Sequence, residues 1–237
     1  VPAMTTALQT ITVPVERATP AALEGYGYVI GRPDAEVWGR IDYYGDKVKV
    51  RTPVKFISND DLTLNLVSFD RREPVIHWME YHSKHTQTFI PLSGRPFIMV
   101  LGKPTRMRPD QSIDESRQDL PDLSNVRAFY FDGSCGICMH VGTWHEVPFP
   151  IHDQTHFVAI VTNETNRNLE EHDKVNFEAN GGDLLKRNLL HRFGKQVVIA
   201  GVPGSVSADL IESADLCDPI GGDLRPAATE GSEGRVP

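Results

Sequence analysis

Two polar stretches carry most of the side chains that could do chemistry. Residues 80–94 read Glu-Tyr-His-Ser-Lys-His-Thr-Gln-Thr-Phe-Ile-Pro-Leu-Ser-Gly, and residues 138–148 read Cys-Met-His-Val-Gly-Thr-Trp-His-Glu-Val-Pro. Imidazole, carboxylate and carboxamide groups that alternate along strands face the inside of a small barrel, where they are costly unless they bind something. We therefore predict that the two stretches form two edges of one active site.

Four of these groups follow the ligand order of metal-binding barrels of the cupin type, which is His-x-His, then a carboxylate, then a last His on a later strand. The corresponding residues here are Glu80, His82, Gln87 and His145. Such donors suit a divalent ion such as Mn, Ni, Fe or Zn. Because Gln is a weak neutral ligand, the site could hold metal loosely or bind substrate without it. Histidines inside a barrel can also be satisfied by neighbouring hydroxyls and waters.

Other polar residues near these stretches are candidates for catalysis. His140 precedes His145 by five residues, and its pKa range suits a general acid or base, although a buried structural His is an equal alternative. A guanidinium from Arg71 or Arg72 could bind a substrate carboxylate in bidentate fashion. His77 and His85 lie outside the ligand pattern, and we expect them at the surface or behind the ligands.

The elements that must position these residues are mainly strands. Apolar and polar residues alternate in short runs rich in Val, Leu, Ile and Thr, with turn residues between them, which is typical of an all-β sandwich or barrel. We predict a turn at 93–94 and a long loop at 103–125. We predict a short helix followed by the start of a strand within 20–30, and a second helix at 183–193. Strands are predicted at 46–58, 62–69, 74–82, 87–91, 95–101, 126–131, 136–139, 157–162 and 196–202.

Composition limits the partners and the compartment. The chain has 237 residues and a formal net charge of -8, so we expect neither nucleic acid nor a membrane as partner. No apolar run approaches the roughly 20 residues of a membrane span, and the first residues lack a secretory pattern. Cys135, Cys138 and Cys217 are too few and wrongly placed for a disulfide framework or a zinc ribbon. We therefore expect ordinary thiols and a cytoplasmic location.

Several blocks of the sequence resemble the ureidoglycolate lyase family, called ureidoglycolate hydrolase in older usage. The most specific block is Glu-x-His-x-x-x-x-Gln-Thr-Phe-Ile-Pro-Leu-Ser-Gly at 80–94. The resemblance spans roughly residues 20–165. The other matching positions are 25–30 (Gly-Tyr-Gly-Tyr-Val-Ile), 68–74 (Ser-Phe-Asp-Arg-Arg-Glu-Pro), 126–129 (Val-Arg-Ala-Phe), His140, Trp144, His145 and Pro148.

The resemblance implies a cupin-type double-stranded β-helix barrel, mainly β with a few short helices and a C-terminal extension. It implies a cytoplasmic homodimer of purine and allantoin breakdown that cleaves ureidoglycolate, a small carboxylate, to glyoxylate and urea, with divalent metal in some members. By matching position, Arg71, Glu80 and His140 are candidate catalytic residues. Glu80, His82, Gln87 and His145 are the candidate metal or substrate ligands.

The chain also departs from the family pattern. We note the acidic loop at 103–125, Glu146 and Val147 before the proline, and about seventy residues beyond 165. We divide the chain into a catalytic barrel at 1–165, an extension at 166–217 that packs on the barrel or on a partner subunit, and a flexible tail at 218–237. The departures leave open a lyase or hydrolase with a larger acid substrate, or a non-catalytic module that binds a small molecule.

Overall fold

The computed structural model describes residues 9–31, 39–40, 42–50, 52, 54–105 and 119–201. Short strands dominate these residues, and only two α-helices are present among them. The strands are β1 Gln9–Val13, β2 Val15–Arg17, β3 Gly27–Ile30, β4 Gly39–Arg40, β5 Lys49–Val50, β6 Leu62–Phe69, β7 Val75–Ile76, β8 Trp78–His82, β9 Thr88–Pro91, β10 Phe97–Gly102, β11 Arg127–Phe131, β12 Gly136–Met139, β13 Trp144–His145, β14 Phe149–Pro150, β15 Thr155–Thr162, β16 Ala179–Gly181, β17 Leu184–Asn188 and β18 Lys195–Ile199. The helices are α1 Asn163–Glu170 and α2 Leu189–Phe193, and 3-10 turns lie at Asp42–Lys47 and Leu123–Asn125.

Two large sheets form the body of the protein. The first has the order β16-β17-β8-β13-β10-β11-β2, with β14 paired to β10, and the second has the order β3-β12-β9-β15-β6. A three-stranded sheet, β1-β18-β7, and the hairpin β4-β5 complete the described part. The structure is therefore mainly β with few short helices, as the predicted cupin-type barrel requires.

Two hydrophobic cores lie on opposite faces of the first sheet. The inner core fills the space between the two large sheets and contains Phe89, Phe97, Leu101, Ile137 and Phe157. The outer core packs the other face of the first sheet against β1, β7, β18 and α2, and its buried members are Ile76, Met79, Tyr81, Ile98, Val100, Trp144, Leu189 and Val197, among others. Alternate residues of β8, β10 and β13 thus point to different cores, so strand parity decides which side chains enter the barrel.

Most of the predicted strands are confirmed, and the strand at 62–69 matches β6 at both ends. Three predictions are wrong at least in part. Residues 20–26 form hydrogen-bonded turns before β3 instead of a helix, since Gly25 adopts φ 85°. The strand at 46–58 is reduced to β5, and its last five residues lie outside any strand. The helix at 183–193 is β17 followed by the five-residue α2, because β8 offers β17 an edge to pair with.

Chain segments after residue 165 belong to the same sheets as those before it. β17 pairs with β8 along five residues, and β18 pairs in parallel with β1. The domain boundaries at 165 and 217 stay predictions, and residues 106–118 and 202–237 lie outside the described part. Among the residues described here, no helix has both the length and the apolar character to span a membrane.

Candidate active site

The register of the first sheet places His145, Glu80 and Lys186 in one row across neighbouring strands, with His82 on the same face. His145 lies opposite Leu101 on one side and opposite Glu80 on the other, and Glu80 lies opposite Lys186. Directly opposed residues of antiparallel strands share a face, and Leu101 belongs to the inner core. His145, Glu80 and Lys186 therefore lie on the barrel side of the sheet, and His82, two residues after Glu80, joins them.

His145 has a defined tautomer. Its Nδ1 lies 3.0 Å from the carbonyl oxygen of Thr143, and since a carbonyl can only accept, Nδ1 donates the proton. Burial lowers the pKa of His145 to about 4, although Glu80 partly opposes this, so the ring is neutral near pH 7. Nε2 then presents a lone pair 3.7 Å from Oε1 of Glu80. Two hydrogen-bond acceptors that face each other repel unless a proton or a cation lies between them.

Glu80 lies at the more accessible end of the cluster. Its Oε2 is 3.6 Å from Nζ of Lys186, and the side chains of Glu80 and Lys186 are 10% and 25% exposed. Glu146 is close by, with Oε1 3.8 Å from a guanidinium nitrogen of Arg72. Burial raises the pKa of Glu146 to about 7, with Arg72 opposing and Glu80 adding to the shift. Charged groups of both signs thus surround the barrel mouth beside Glu80.

A second group lies deeper, around Asp183 at the start of β17. Nδ1 of His85 and Nδ1 of His82 lie 2.8 Å and 3.3 Å from Oδ2 of Asp183. Oδ1 accepts a hydrogen bond from the backbone N–H of Lys84, and Oδ2 accepts one from the hydroxyl of Thr165. Burial raises the pKa of Asp183, but the histidine contacts and the Thr165 hydrogen bond outweigh it and hold the pKa well below its usual range. Asp183 is therefore a buried carboxylate anion.

The donor atoms of the cluster fit a divalent ion better than they fit one another. His82, His85 and His145 are at most 3% exposed. Within the described part of the chain, both ring nitrogens of His82 and His85, Nε2 of His145 and Oε1 of Gln87 are buried and have no aligned hydrogen-bond partner. Donor atoms of Glu80, His82 and His145 lie within 4.8 Å of one another, as do those of His82, His85 and Asp183. Buried polar atoms normally have partners, and a metal ion would supply one.

The structure brings only part of the predicted site together. Glu80, His82 and His145 meet, and Gln87, just before β9, is buried. His140 instead stacks edge-on against Tyr28, with ring centroids 4.7 Å apart, and burial lowers its pKa. No described hydrogen bond, ion pair or ring contact joins His140 to the cluster, so its catalytic role stays a prediction.

The two arginines of the turn before β7 differ in their contacts. Arg71 is exposed, and its backbone N–H donates to Asp153. Arg72 donates to the carbonyl oxygens of Val147 and Pro148, and its guanidinium lies 3.7 Å from the ring centroid of Phe149. Arg72 thus fixes the segment after His145, whereas the predicted contact of Arg71 with a substrate carboxylate stays a prediction.

Sequence reasoning did not assign four residues of the cluster to the site. His85, predicted at the surface or behind the ligands, is fully buried and contacts Asp183. Asp183 and Lys186 fall within the predicted helix at 183–193, and Glu146 directly follows His145. The positions of His85 and Glu146 close to predicted ligands are local signals, whereas Asp183 and Lys186 reach the cluster through long-range strand pairing. Cys135 and Cys138 are both buried.

Comparisons with known proteins agree with the geometry. The family described as Ureidoglycolate lyase matches residues 10–178. The chain is 29% identical over 157 residues to the ureidoglycolate lyase of Salmonella typhimurium strain LT2, covering 62% of this chain and 84% of that protein. It is 28% identical to the Salmonella newport strain SL254 protein of the same name and 27% identical to that of Salmonella enteritidis PT4, with the same coverage. The match includes Glu80, His82, Gln87 and His145 and spans well over half of the chain, so the chain belongs to the ureidoglycolate lyase family.

Proposed function

We propose that this protein is a carbon–nitrogen lyase that cleaves ureidoglycolate to glyoxylate and urea, a reaction of purine and allantoin breakdown. Family membership and the names of the relatives support this reaction. The observation that carries it is the pair formed by Nε2 of His145 and Oε1 of Glu80, 3.7 Å apart at the accessible end of a buried cluster. This pair can take a proton and stabilise an oxygen of a small acid.

The chemistry needs one base and one acid. Ureidoglycolate carries a hydroxyl group and a ureido nitrogen on the same carbon. The carboxylate of Glu80 takes the hydroxyl proton, the oxygen forms the aldehyde C=O, the carbon–nitrogen bond breaks, and the nitrogen takes the bonding electrons. The nitrogen also needs a proton, and the protonated Glu80 can return the one it took because both groups are on one carbon. The products are glyoxylate and urea, with no net gain or loss of protons.

The neutral ring of His145 supports this role. His145 holds its Nε2 lone pair toward the site because Nδ1 is bound to Thr143, and Gln87 aligns with the family motif. A divalent ion such as Mn, Ni, Fe or Zn, when bound, would supply Lewis-acid stabilisation of the developing alkoxide. His82 would be among the residues that hold the ion, and Glu80, Gln87 and His145 would contact the substrate.

Release of glyoxylate tests the proposal directly. We expect the purified protein, with Mn or Ni added, to release glyoxylate from one enantiomer of racemic ureidoglycolate well above the spontaneous rate. Release at the spontaneous rate with both metals would exclude this substrate. It would leave the fold unaffected and favour either a larger acid substrate or a binding module without catalysis.

The substrate carboxylate needs a cation, and two candidates differ sharply in position. Lys186 lies beside Glu80, whereas Arg71 is exposed and contacts Asp153 through its backbone. We expect Lys186→Met to raise KM about tenfold or more, in line with the loss of a charge-assisted contact of roughly 1.5–3 kcal/mol. Steady-state kinetics of Lys186→Met and Arg71→Met, measured side by side, check this. A larger effect for Arg71→Met would support the assignment made from the family resemblance.

We also propose that the protein is a homodimer. β6 is an edge strand of the second large sheet, and its Leu62, Leu64 and Leu66 are 51%, 63% and 75% exposed on one face. The partly buried Val158 and Ile160 of β15 extend this face. A continuous apolar face on an edge strand supports association with a second copy. The cytoplasmic location likewise stays a prediction.

Light scattering of a charged variant tests the dimer. We expect wild-type protein to have the mass of a dimer and Leu64→Lys to have the mass of a monomer, because a lysine on the face would be desolvated in the interface. Leu169→Lys, at a partly exposed apolar position of α1, is the matched control and should stay dimeric. A dimeric Leu64→Lys protein would move the interface elsewhere.

A further inference from the structure

We propose that His82, His85 and Asp183 form a divalent-metal site of their own, separate from the pair of Glu80 and His145. Two imidazoles and one carboxylate are a donor set that binds first-row transition metals and leaves coordination positions open. Asp183 lies beyond residue 178, where the family match ends, and His85 lies outside the ligand pattern of the barrel. The site thus combines a histidine of the predicted ligand pattern with two residues outside that pattern.

The distances within the group are those between ligands around one ion. Nδ1 of His85 and Nδ1 of His82 lie 2.8 Å and 3.3 Å from Oδ2 of Asp183. Ligands about 2.0–2.1 Å from a zinc-like ion are roughly 2.8–3.4 Å apart in octahedral or tetrahedral geometry. Neither ring nitrogen forms an aligned hydrogen bond with the carboxylate despite this closeness.

Because the three side chains are buried, their polar atoms raise the free energy of the folded protein when no ion is bound. His82, His85 and Asp183 are 3%, 0% and 1% exposed. Among the described residues, none of the four ring nitrogens has a hydrogen-bond partner. Unpaired buried polar atoms are costly, and coordination would remove this cost for the nitrogens that bind. The Asp183 carboxylate lies next to both imidazoles, and Glu80 offers a second carboxylate within 4.8 Å of His82.

Hydrogen bonds from neighbouring groups fix the position of Asp183. The backbone N–H of Lys84 donates to Oδ1 and the Thr165 hydroxyl donates to Oδ2, at 2.7 Å each. The side-chain oxygen of Asn168 accepts the backbone N–H of Asp183 itself. Outer-shell hydrogen bonds of this kind fix the orientation of metal-binding carboxylates. Both Thr165 and Asn168 belong to α1, so this helix orients the carboxylate toward the histidines.

The assignment divides the cluster into two parts. The deeper part would hold the ion, and the accessible part, Glu80 and His145, would stay available for substrate. His82 is the one residue that belongs to both groups. The inference concerns ion binding alone, and it stands whether or not ureidoglycolate is the substrate.

Cobalt binding to the full chain tests the site without an activity assay. After chelation and removal of the chelator, the protein is titrated with Co²⁺ and followed by visible absorption and calorimetry. We expect one ion per chain, and we expect Asp183→Asn and His85→Gln each to weaken binding at least 100-fold and to change the absorption spectrum. Glu80→Gln and His145→Gln should bind Co²⁺ within about threefold of wild type, since neither side chain is a ligand.

The variants also separate the competing outcomes. If Glu80→Gln and His145→Gln lose the ion while His85→Gln keeps it, the ion belongs to the family ligand pattern and the proposal is wrong. Wild-type protein that binds no Co²⁺ also overturns it. Circular dichroism confirms that each variant is folded, and His85→Gln decides the matter if Asp183→Asn is not. His77→Gln, at an exposed position, controls for loss of an imidazole as such.

Discussion

Glu80→Gln is expected to lower kcat/KM for ureidoglycolate by about 10³-fold, within the 10²–10⁴ range typical of a lost general base. The amide keeps the shape of the side chain, but it cannot take the hydroxyl proton, and it removes the negative charge beside Lys186 and His145. The loss should fall mainly on kcat, because the base acts in the transition state. Initial rates of glyoxylate release, corrected for spontaneous decay, give the value.

Two further variants decide what a loss of activity means. Glu73→Gln removes an exposed carboxylate from the turn before β7 and should keep wild-type activity. His140→Gln tests the other base predicted from the sequence, and we expect less than a tenfold effect because His140 contacts Tyr28 instead of the cluster. If Glu80→Gln kept more than a tenth of the activity while His140→Gln lost it, the roles of the two residues would be exchanged.

Local alternation was sufficient to predict the strands whose two faces differ. β6 carries leucines on one face and smaller or aromatic side chains on the other, and its bounds follow from the pattern alone. The helix predicted at 183–193 is wrong because this segment lacks the alternation that identifies β6. Leu184 and Leu185 are adjacent, so their spacing fits a helix as well as a strand. The segment forms a strand because it pairs with the edge of β8, and this edge is known only from the three-dimensional structure.

The site residues also fall into those that local patterns identify and those that depend on long-range strand pairing. Glu80, His82 and His145 could be found because residues two apart on a strand share a face, and because the predicted ligand order places its last histidine on a later strand. Asp183 and Lys186 could not be found, since their place depends on the register of β17 against β8, a hundred residues earlier in the chain. His85 follows the end of β8, where strand parity no longer applies.

The pairing of β17 with β8 therefore has a functional consequence. Residues beyond the family match bring an anion to His82 and His85 and a cation to Glu80. Both additions change the charge around side chains that the family pattern already provides. We infer that the residues after 178 serve both parts of the cluster, since Asp183 joins His82 and His85 as a proposed ligand and Lys186 lies beside Glu80.

Gly133→Ala should lower the stability of the fold more than a typical glycine substitution. Gly133 lies in the turn between β11 and β12 at φ +90°, where an L-residue is strained, and a Cβ there would overlap the carbonyl of Gly94 in the turn before β10. Strain costs roughly 1–2 kcal/mol and overpacking against backbone roughly 1–3 kcal/mol. For a chain of this size, the loss corresponds to a melting temperature about 5–15 °C lower.

Gly94→Ala is the matched control, because it separates strain from overlap. Gly94 has φ +63°, but a Cβ there would meet no described atom within 4 Å, so only the conformational cost remains. We expect Gly94→Ala to lower the melting temperature by about 2–6 °C, clearly less than Gly133→Ala. Thermal unfolding followed by circular dichroism measures both. Equal shifts in melting temperature would mean that the β9–β10 turn and the β11–β12 turn do not pack against each other as described.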